Sequence, residues 1–95
     1  MPPRDFLKGP MVACFNVANS PRLKTAIQNI VKKYPDVTLA CFNAECYKAI
    51  REAEQSNVLF TPYGEKRTIA NYNVIGAIVG GDIDVSQYGL KEIRI

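Results

Sequence analysis

The tetrapeptide Ala-Cys-Phe-Asn occurs twice, at residues 13–16 and 40–43, and each copy ends an apolar run that leads into a helical pattern. The runs 11–17 and 37–42 are rich in β-forming residues, which is typical of strands buried on both faces of a sheet. The copies lie 27 residues apart, close to the roughly 30 residues of one strand-plus-helix unit. Because parallel strands joined by helices cross over right-handedly, both asparagines should lie at one edge of a sheet.

Two segments, 21–34 and 44–56, carry apolar residues at the spacing of an amphipathic helix. Ser20 is suited to cap the first helix, and Pro21 is suited to its first position. Asn43 is suited to cap the second helix. The sequence therefore predicts two strand–helix units whose apolar stripes pack on a common sheet.

The second half of the chain has no further helical stripe and predicts strands joined by tight turns. Residues 61–64 fit a type I turn after a third strand, and Gly80-Gly81 fits a type I′ hairpin turn. Gly76 is expected to mark a bulge in the apolar run before that turn. The competing prediction for 74–80 is a short buried helix, because periodicity does not separate short apolar runs.

These segments predict a small single-domain α/β protein over residues 1–95, with an α+β arrangement as the alternative. The predicted order is β-α-β-α-β-β-β, with two helices and a mixed sheet that is parallel in its N-terminal part and has antiparallel C-terminal hairpins. Residues 1–10 are predicted as an extended, proline-rich segment. Residues 90–95 are predicted as an edge strand, where Lys91 and Arg94 oppose uncontrolled pairing.

Several kinds of chemistry are disfavoured by what the chain lacks. It contains no histidine, which removes Ser-His and Cys-His catalytic pairs and the usual general base near pH 7. Its cysteines are three in number, and we expect buried free thiols rather than disulfides or a zinc site. No catalytic or cofactor motif is recognisable, so the sequence favours a protein that is not an enzyme and that binds no cofactor.

The longest apolar run, 74–79, is far shorter than the roughly 20 residues of a membrane-spanning helix. Prolines stand near the N-terminus where a signal peptide would be apolar. We therefore expect a cytoplasmic protein with no membrane partner.

Basic residues are concentrated in the first third of the chain. Residues 1–35 contain six basic residues and one acidic residue, whereas 36–95 contain six basic and eight acidic residues. The first predicted helix has a wholly basic polar face, and two further cations follow a tyrosine at the predicted hairpin turn. The partner-binding residues predicted on these grounds are Arg22, Lys24, Lys32, Lys33, Tyr63, Lys66 and Arg67. The alternatives are a solvated helix face and a tyrosine folded back onto the sheet.

Two further sites are predicted from pairs of residues. Asn16 and Asn43 follow parallel strands at the edge where open α/β sheets bind ligands, which suits a phosphate-bearing ligand. The alternative is that they serve as a turn and a helix cap. Asp82 and Asp84 share one face of a predicted strand and could hold Mg²⁺ with Glu65 or a substrate phosphate. The alternative there is an ordinary polar face.

The predicted function is that of a small, non-enzymatic binding or regulatory protein that contacts an acidic protein surface and forms a homo-oligomer through an edge strand. The first alternative is a nucleic-acid-binding protein that uses the basic helix and the Tyr63 turn. The second is a small enzyme or sensor that binds a phosphate-bearing ligand or nucleotide near Asn16 and Asn43.

Overall fold

The computed structural model describes residues 9–53, 58–61 and 64–95. In these residues, five strands form one sheet in the order β3-β2-β1-β4-β5, and every neighbouring pair runs parallel. The strands are β1 (Met11–Phe15), β2 (Thr38–Cys41), β3 (Val58–Phe60), β4 (Val74–Val79) and β5 (Glu92–Arg94). The α/β class and the parallel first part of the sheet are therefore confirmed.

Helices alternate with these strands. The described α-helices are α1 (Pro21–Lys33), α2 (Ala44–Ala53) and α3 (Glu65–Asn71), and a 3-10 helix (Ser86–Tyr88) lies between β4 and β5. Because successive strand residues point to opposite faces, the sheet has two apolar clusters. Cys14 belongs to the cluster with the buried sides of α1 and α2. Phe15 belongs to the opposite cluster, which packs with Ile69 of α3 and with Tyr88.

The predicted starts of α1 and α2 are confirmed by their capping hydrogen bonds. The Leu23 N–H donates to Ser20 Oγ at 3.2 Å, and Pro21 occupies the first helical position. The Cys46 N–H donates to Asn43 Oδ1 at 2.8 Å. Both bonds satisfy backbone donors that have no partner inside a helix.

The predicted hairpin after β3 is wrong, because residues 65–71 form α3 instead of a strand. Seven residues are too few to show a helical stripe, and the β-branched residues of this segment imitate a strand. The hydroxyl of Thr68 is buried in α3 and hydrogen-bonds with that of Thr61 at 3.1 Å. A parallel β4 also requires a crossover connection, which a tight turn cannot supply.

The type I′ hairpin predicted at Gly80-Gly81 is also wrong. That turn needs positive φ at both central residues, whereas Gly81 has a φ of 72° and Gly80 has no positive φ. Residues 82–85 form an irregular loop, and β5 then pairs parallel to β4. The described part of the chain therefore has three α-helices rather than two and none of the expected antiparallel pairing.

The strand predicted within 74–80 is confirmed by β4, and the competing helix is wrong. The register between β1 and β4 shifts between Met11 and Val12, which leaves Ile75 as an extra residue beside Gly76. The predicted bulge is therefore present. A Cβ on Gly76 would lie 3.1 Å from the Lys91 carbonyl oxygen, so glycine lets β5 approach closely.

Some predictions fall outside the described residues. They concern positions 1–8 of the extended segment, positions 54–56 of the second helix, and Tyr63. The single-domain extent over 1–95 stays a prediction.

Candidate functional site

The strand order creates a switch point at β1. The chain passes from β1 to β2 and β3 on one side, and then returns to place β4 on the other side. In open α/β sheets, ligands bind outside the carboxyl ends of the strands at such a point. A shallow cleft of about 170 Å³ lies there and brings the two predicted ligand residues together. Its described lining residues are Cys14, Phe15, Asn16, Phe42, Asn43, Glu65 and Ile83.

Asn16 ties β1 to β4 at this point. Its backbone is left-handed, with a φ of 54°, a conformation that asparagine adopts more readily than most residues. Its Nδ2 donates to the Gly80 carbonyl at 3.1 Å, and the Gly80 N–H donates to the Phe15 carbonyl at 2.9 Å. A Cβ on Gly80 would overlap the backbone oxygen of Asn16. Glycine at position 80 therefore allows the ends of β1 and β4 to approach each other closely.

The cleft is poorly suited to a phosphate. Its described lining residues include Glu65 but no lysine or arginine, and its volume is below the roughly 300 Å³ at which typical ligand pockets begin. Asn43 already caps α2 with its side-chain oxygen. Asn16 and Asn43 thus make the contacts of a turn residue and a helix cap, and the ligand site there stays a prediction.

The three cysteines are buried free thiols, as predicted. Cys14 and Cys41 are register neighbours on β1 and β2, and the hydrogen bond between their side chains, together with burial, raises the pKa of the Cys14 thiol. Burial also raises the pKa of the Cys46 thiol. Because the thiolate is the reactive form, these environments favour packing over nucleophilic catalysis.

Asp82 and Asp84 lie in the irregular loop after β4, so the strand face on which the magnesium prediction depended is absent there. Asp84 Oδ1 accepts a hydrogen bond from the Ser86 N–H at 2.9 Å. Hydrogen bonds from the Ser86 side chain and backbone lower the pKa of Asp84. Within residues 9–53, 58–61 and 64–95, no three potential metal-binding side chains gather in one place.

The predicted partner-binding cations do not form one surface. Arg22 and Lys33 line cavities between α1 and β5, whereas Lys24 and Lys32 are exposed elsewhere on α1. Lys66 and Arg67 belong to α3 on the opposite side of the sheet rather than to a hairpin tip.

A second concave surface is the α1–β5 groove, which we define by two adjoining cavities of about 410 and 210 Å³. Both cavities share Asn29 and Ile93, so the groove follows α1 along its length. The residues of the first are Pro21, Arg22, Thr25, Ala26, Asn29, Ile93, Arg94 and Ile95. The second adds Val12, Ile30, Lys33, Tyr34, Ile75, Gly76, Ala77 and Lys91.

The α1–β5 groove is apolar along its floor and basic at its borders. Arg22 and Lys33 stand on α1, and Lys91 stands on the opposite border. Arg94 is engaged elsewhere, because it forms an ion pair with Glu92 at 2.8 Å. None of the described lining residues is an aspartate or a glutamate. The charged side chains that line the groove are therefore all basic.

The groove was not predicted from the sequence, although Arg22 and Lys33 are among the predicted partner-binding residues. Lys91 and Ile93 lie in the predicted edge strand, and nothing in the sequence pattern indicates that this strand lies beside α1. Knowledge of the strand order would have predicted the groove. The strand order does not follow from the sequence pattern when a short crossover helix such as α3 shows no helical periodicity.

The two edge strands differ in charge. β3 carries Val58, Leu59 and Phe60, and Phe60 is 42% exposed. β5 instead carries Glu92 and Arg94 beside Ile93. Charged side chains protect an exposed edge from pairing, so β3 is the less protected of the two.

Across the described ranges, no helix combines the length and the apolar character needed to cross a membrane. No known protein family matches the chain, and no curated protein or solved structure matches it. The groove therefore has to be interpreted from its own chemistry.

Proposed function

We propose that the protein is a non-enzymatic binding protein that holds an acidic, partly apolar segment of a partner protein in the α1–β5 groove. The observation that carries the proposal is the charge pattern. Cations border an apolar floor on both sides, and the described lining residues include no aspartate or glutamate side chain. Complementary charge steers a partner to such a surface and sets its orientation, while apolar contact supplies affinity.

The apolar surface in the groove supports this proposal. Ile93 is 38% exposed, and Ile75 and Ile95 are half-buried. Covering apolar surface contributes about 25 cal/mol per Å² of area removed from water. An apolar patch with a polar rim is the usual composition of a protein interface.

The remaining chemistry of the chain supports binding rather than catalysis. The chain has no histidine, and the thiols of Cys14 and Cys46 are buried with raised pKa values. A protein of this kind can regulate its partner by competing for the bound segment.

Charge reversal in the groove tests the proposal. The probe is a fluorescent peptide of about 18 residues, rich in glutamate and leucine. We expect the double variant Lys33→Glu, Lys91→Glu to bind it at least about tenfold more weakly, because attractive pairs become repulsive. Fluorescence anisotropy at about 0.1 M salt measures the affinity.

The matched control is Lys24→Glu, Lys32→Glu, which makes the same change in net charge but lies outside the groove. Its affinity should change by less than about twofold. Equal losses in both variants would contradict a groove-specific site. If duplex DNA binds more tightly than the peptide and all four lysines contribute, with a steep salt dependence, the nucleic-acid alternative is correct instead.

We also infer that a second copy of the chain pairs along β3. The strand presents no charge, and its Phe60 packs edge-on against Tyr47, with ring centroids 5.5 Å apart, while remaining 42% exposed. Antiparallel pairing of two β3 strands is self-complementary under a two-fold axis. Such pairing would cover Phe60 and join two sheets into one.

A further inference from the structure

The faces of the sheet are unevenly covered. Parallel sheets occur almost only with helices over both faces. The face that carries Cys14 packs against α1 and α2, but beyond α1 no described helix covers β4 and β5 on that face. Ile93 remains 38% exposed there. The α1–β5 groove therefore leaves room for a further helix on this face of the sheet.

The length of the groove suits a helix. It follows the 13 residues of α1, which corresponds to about 20 Å at about 1.5 Å per residue. A helix can lie beside α1 across the same sheet face. An extended segment would place unpaired backbone N–H and C=O groups against the apolar floor, whereas a helix satisfies those groups internally.

The positions of the cations predict where acidic residues would lie on such a helix. Arg22 and Lys33 both line the groove, and they are 11 residues apart, or about three helical turns. Lys91 lines the opposite border. A complementary helix carries acidic residues three turns apart on the flank that faces α1, and a further acid on its other flank.

We infer that the groove binds an amphipathic helix of about four turns, with a stripe of large apolar residues between two acidic flanks. The inference rests on the proposed function and names the conformation of the partner segment. The bound helix completes the layer that α1 and α2 begin, and Ile93 contacts its apolar stripe.

Two peptides of identical composition test the conformation. One places leucines at helical spacing with glutamates on both flanks, and the other places the same residues in strict alternation. We expect the helical peptide to bind at least about tenfold more tightly and to gain helical circular dichroism on binding. A central proline in the helical peptide should remove that advantage, because it breaks the helix.

Two isoleucines provide a matched pair of variants. Ile93→Asp should weaken binding of the helical peptide at least about tenfold. Ile83→Asp should change it by less than about twofold, although Ile83 is 39% exposed and Ile93 is 38% exposed. Far-ultraviolet circular dichroism checks that both variants fold. If Ile93→Asp does not fold, Lys33→Glu, Lys91→Glu serves in its place.

The outcomes separate this inference from the proposed function. If both peptides bind equally and both need Lys33 and Lys91, the groove binds acidic segments but the helix inference is wrong. If neither peptide binds, or if the groove variants bind as the unchanged protein does, both fail. If Ile93→Asp instead dissolves a dimer formed without peptide, a second copy occupies the groove and the inference is overturned.

Discussion

Asn16 has two structural tasks at the end of β1: it turns the chain out of the strand and it binds the neighbouring strand β4. A left-handed residue ends β1 so that the chain can turn towards α1, and the amide of that residue reaches the Gly80 carbonyl at 3.1 Å. Asparagine suits both tasks, because it tolerates positive φ and carries a donor. The same residue type would also suit a ligand site, which explains why the sequence alone left both roles open.

Substitution of Asn16 separates these two tasks. Asn16→Ala loses the hydrogen bond and places alanine, which tolerates the left-handed region less well than asparagine, at a φ of 54°, and we expect a loss of about 2 kcal/mol in the free energy of unfolding. Asn16→Gly also loses the hydrogen bond, but glycine adopts positive φ without steric cost, so the loss should be about 1 kcal/mol. Urea denaturation measures both. Equal losses would show that the left-handed backbone adds no strain.

Individual helices and strands differ in how well they can be predicted from their sequences. The first two strand–helix units were predictable because long periodic stripes and capping residues agree, as at Ser20 and Asn43. α3 was not predictable, since a seven-residue helix around Thr68 has too few positions to establish a period. Without α3, the sequence pattern indicates neither the parallel position of β4 nor the groove beside β5.

The β3 edge provides a prediction at the scale of a single strand. We expect the protein to form a dimer at concentrations of about 100 μM, and Phe60→Lys to make it monomeric, because the added charge opposes edge pairing. Sedimentation equilibrium measures the molar mass. Ile93→Lys is the control at the other edge and should leave the dimer intact. A chain that is monomeric at every concentration tested would contradict pairing through β3.

All three thiols of the molecule lie on one side of its core, in the cluster where α1 and α2 pack on the sheet. Because these thiols are buried in the folded state, the stability of the fold depends on whether they are protonated. A folded chain keeps Cys14 and Cys46 protonated at a pH where an unfolded chain begins to release those protons. The hydrogen bond with Cys41, together with burial, raises the pKa of Cys14, and burial raises the pKa of Cys46.

Stability should therefore fall as the pH rises above the ordinary thiol pKa of about 8.5. The unfolded state binds fewer protons there, so the free energy of unfolding decreases with pH, by at most about 1.4 kcal/mol per thiol for each pH unit. Urea denaturation between pH 7 and about 10 measures the slope. The double variant Cys14→Ala, Cys46→Ala should be less stable at neutral pH but decline less steeply. Parallel slopes would refute this linkage.

The central position of β1 has a consequence for synthesis of the chain. β1 is synthesised well before one of its two neighbours, β4, which ends at Val79. Until that residue leaves the ribosome, β1 has no native neighbour on its β4 side, and its side chains are destined for burial throughout. The nascent chain thus exposes an apolar strand until β4 has been synthesised. A chaperone that binds such strands would have a defined target in Met11–Phe15.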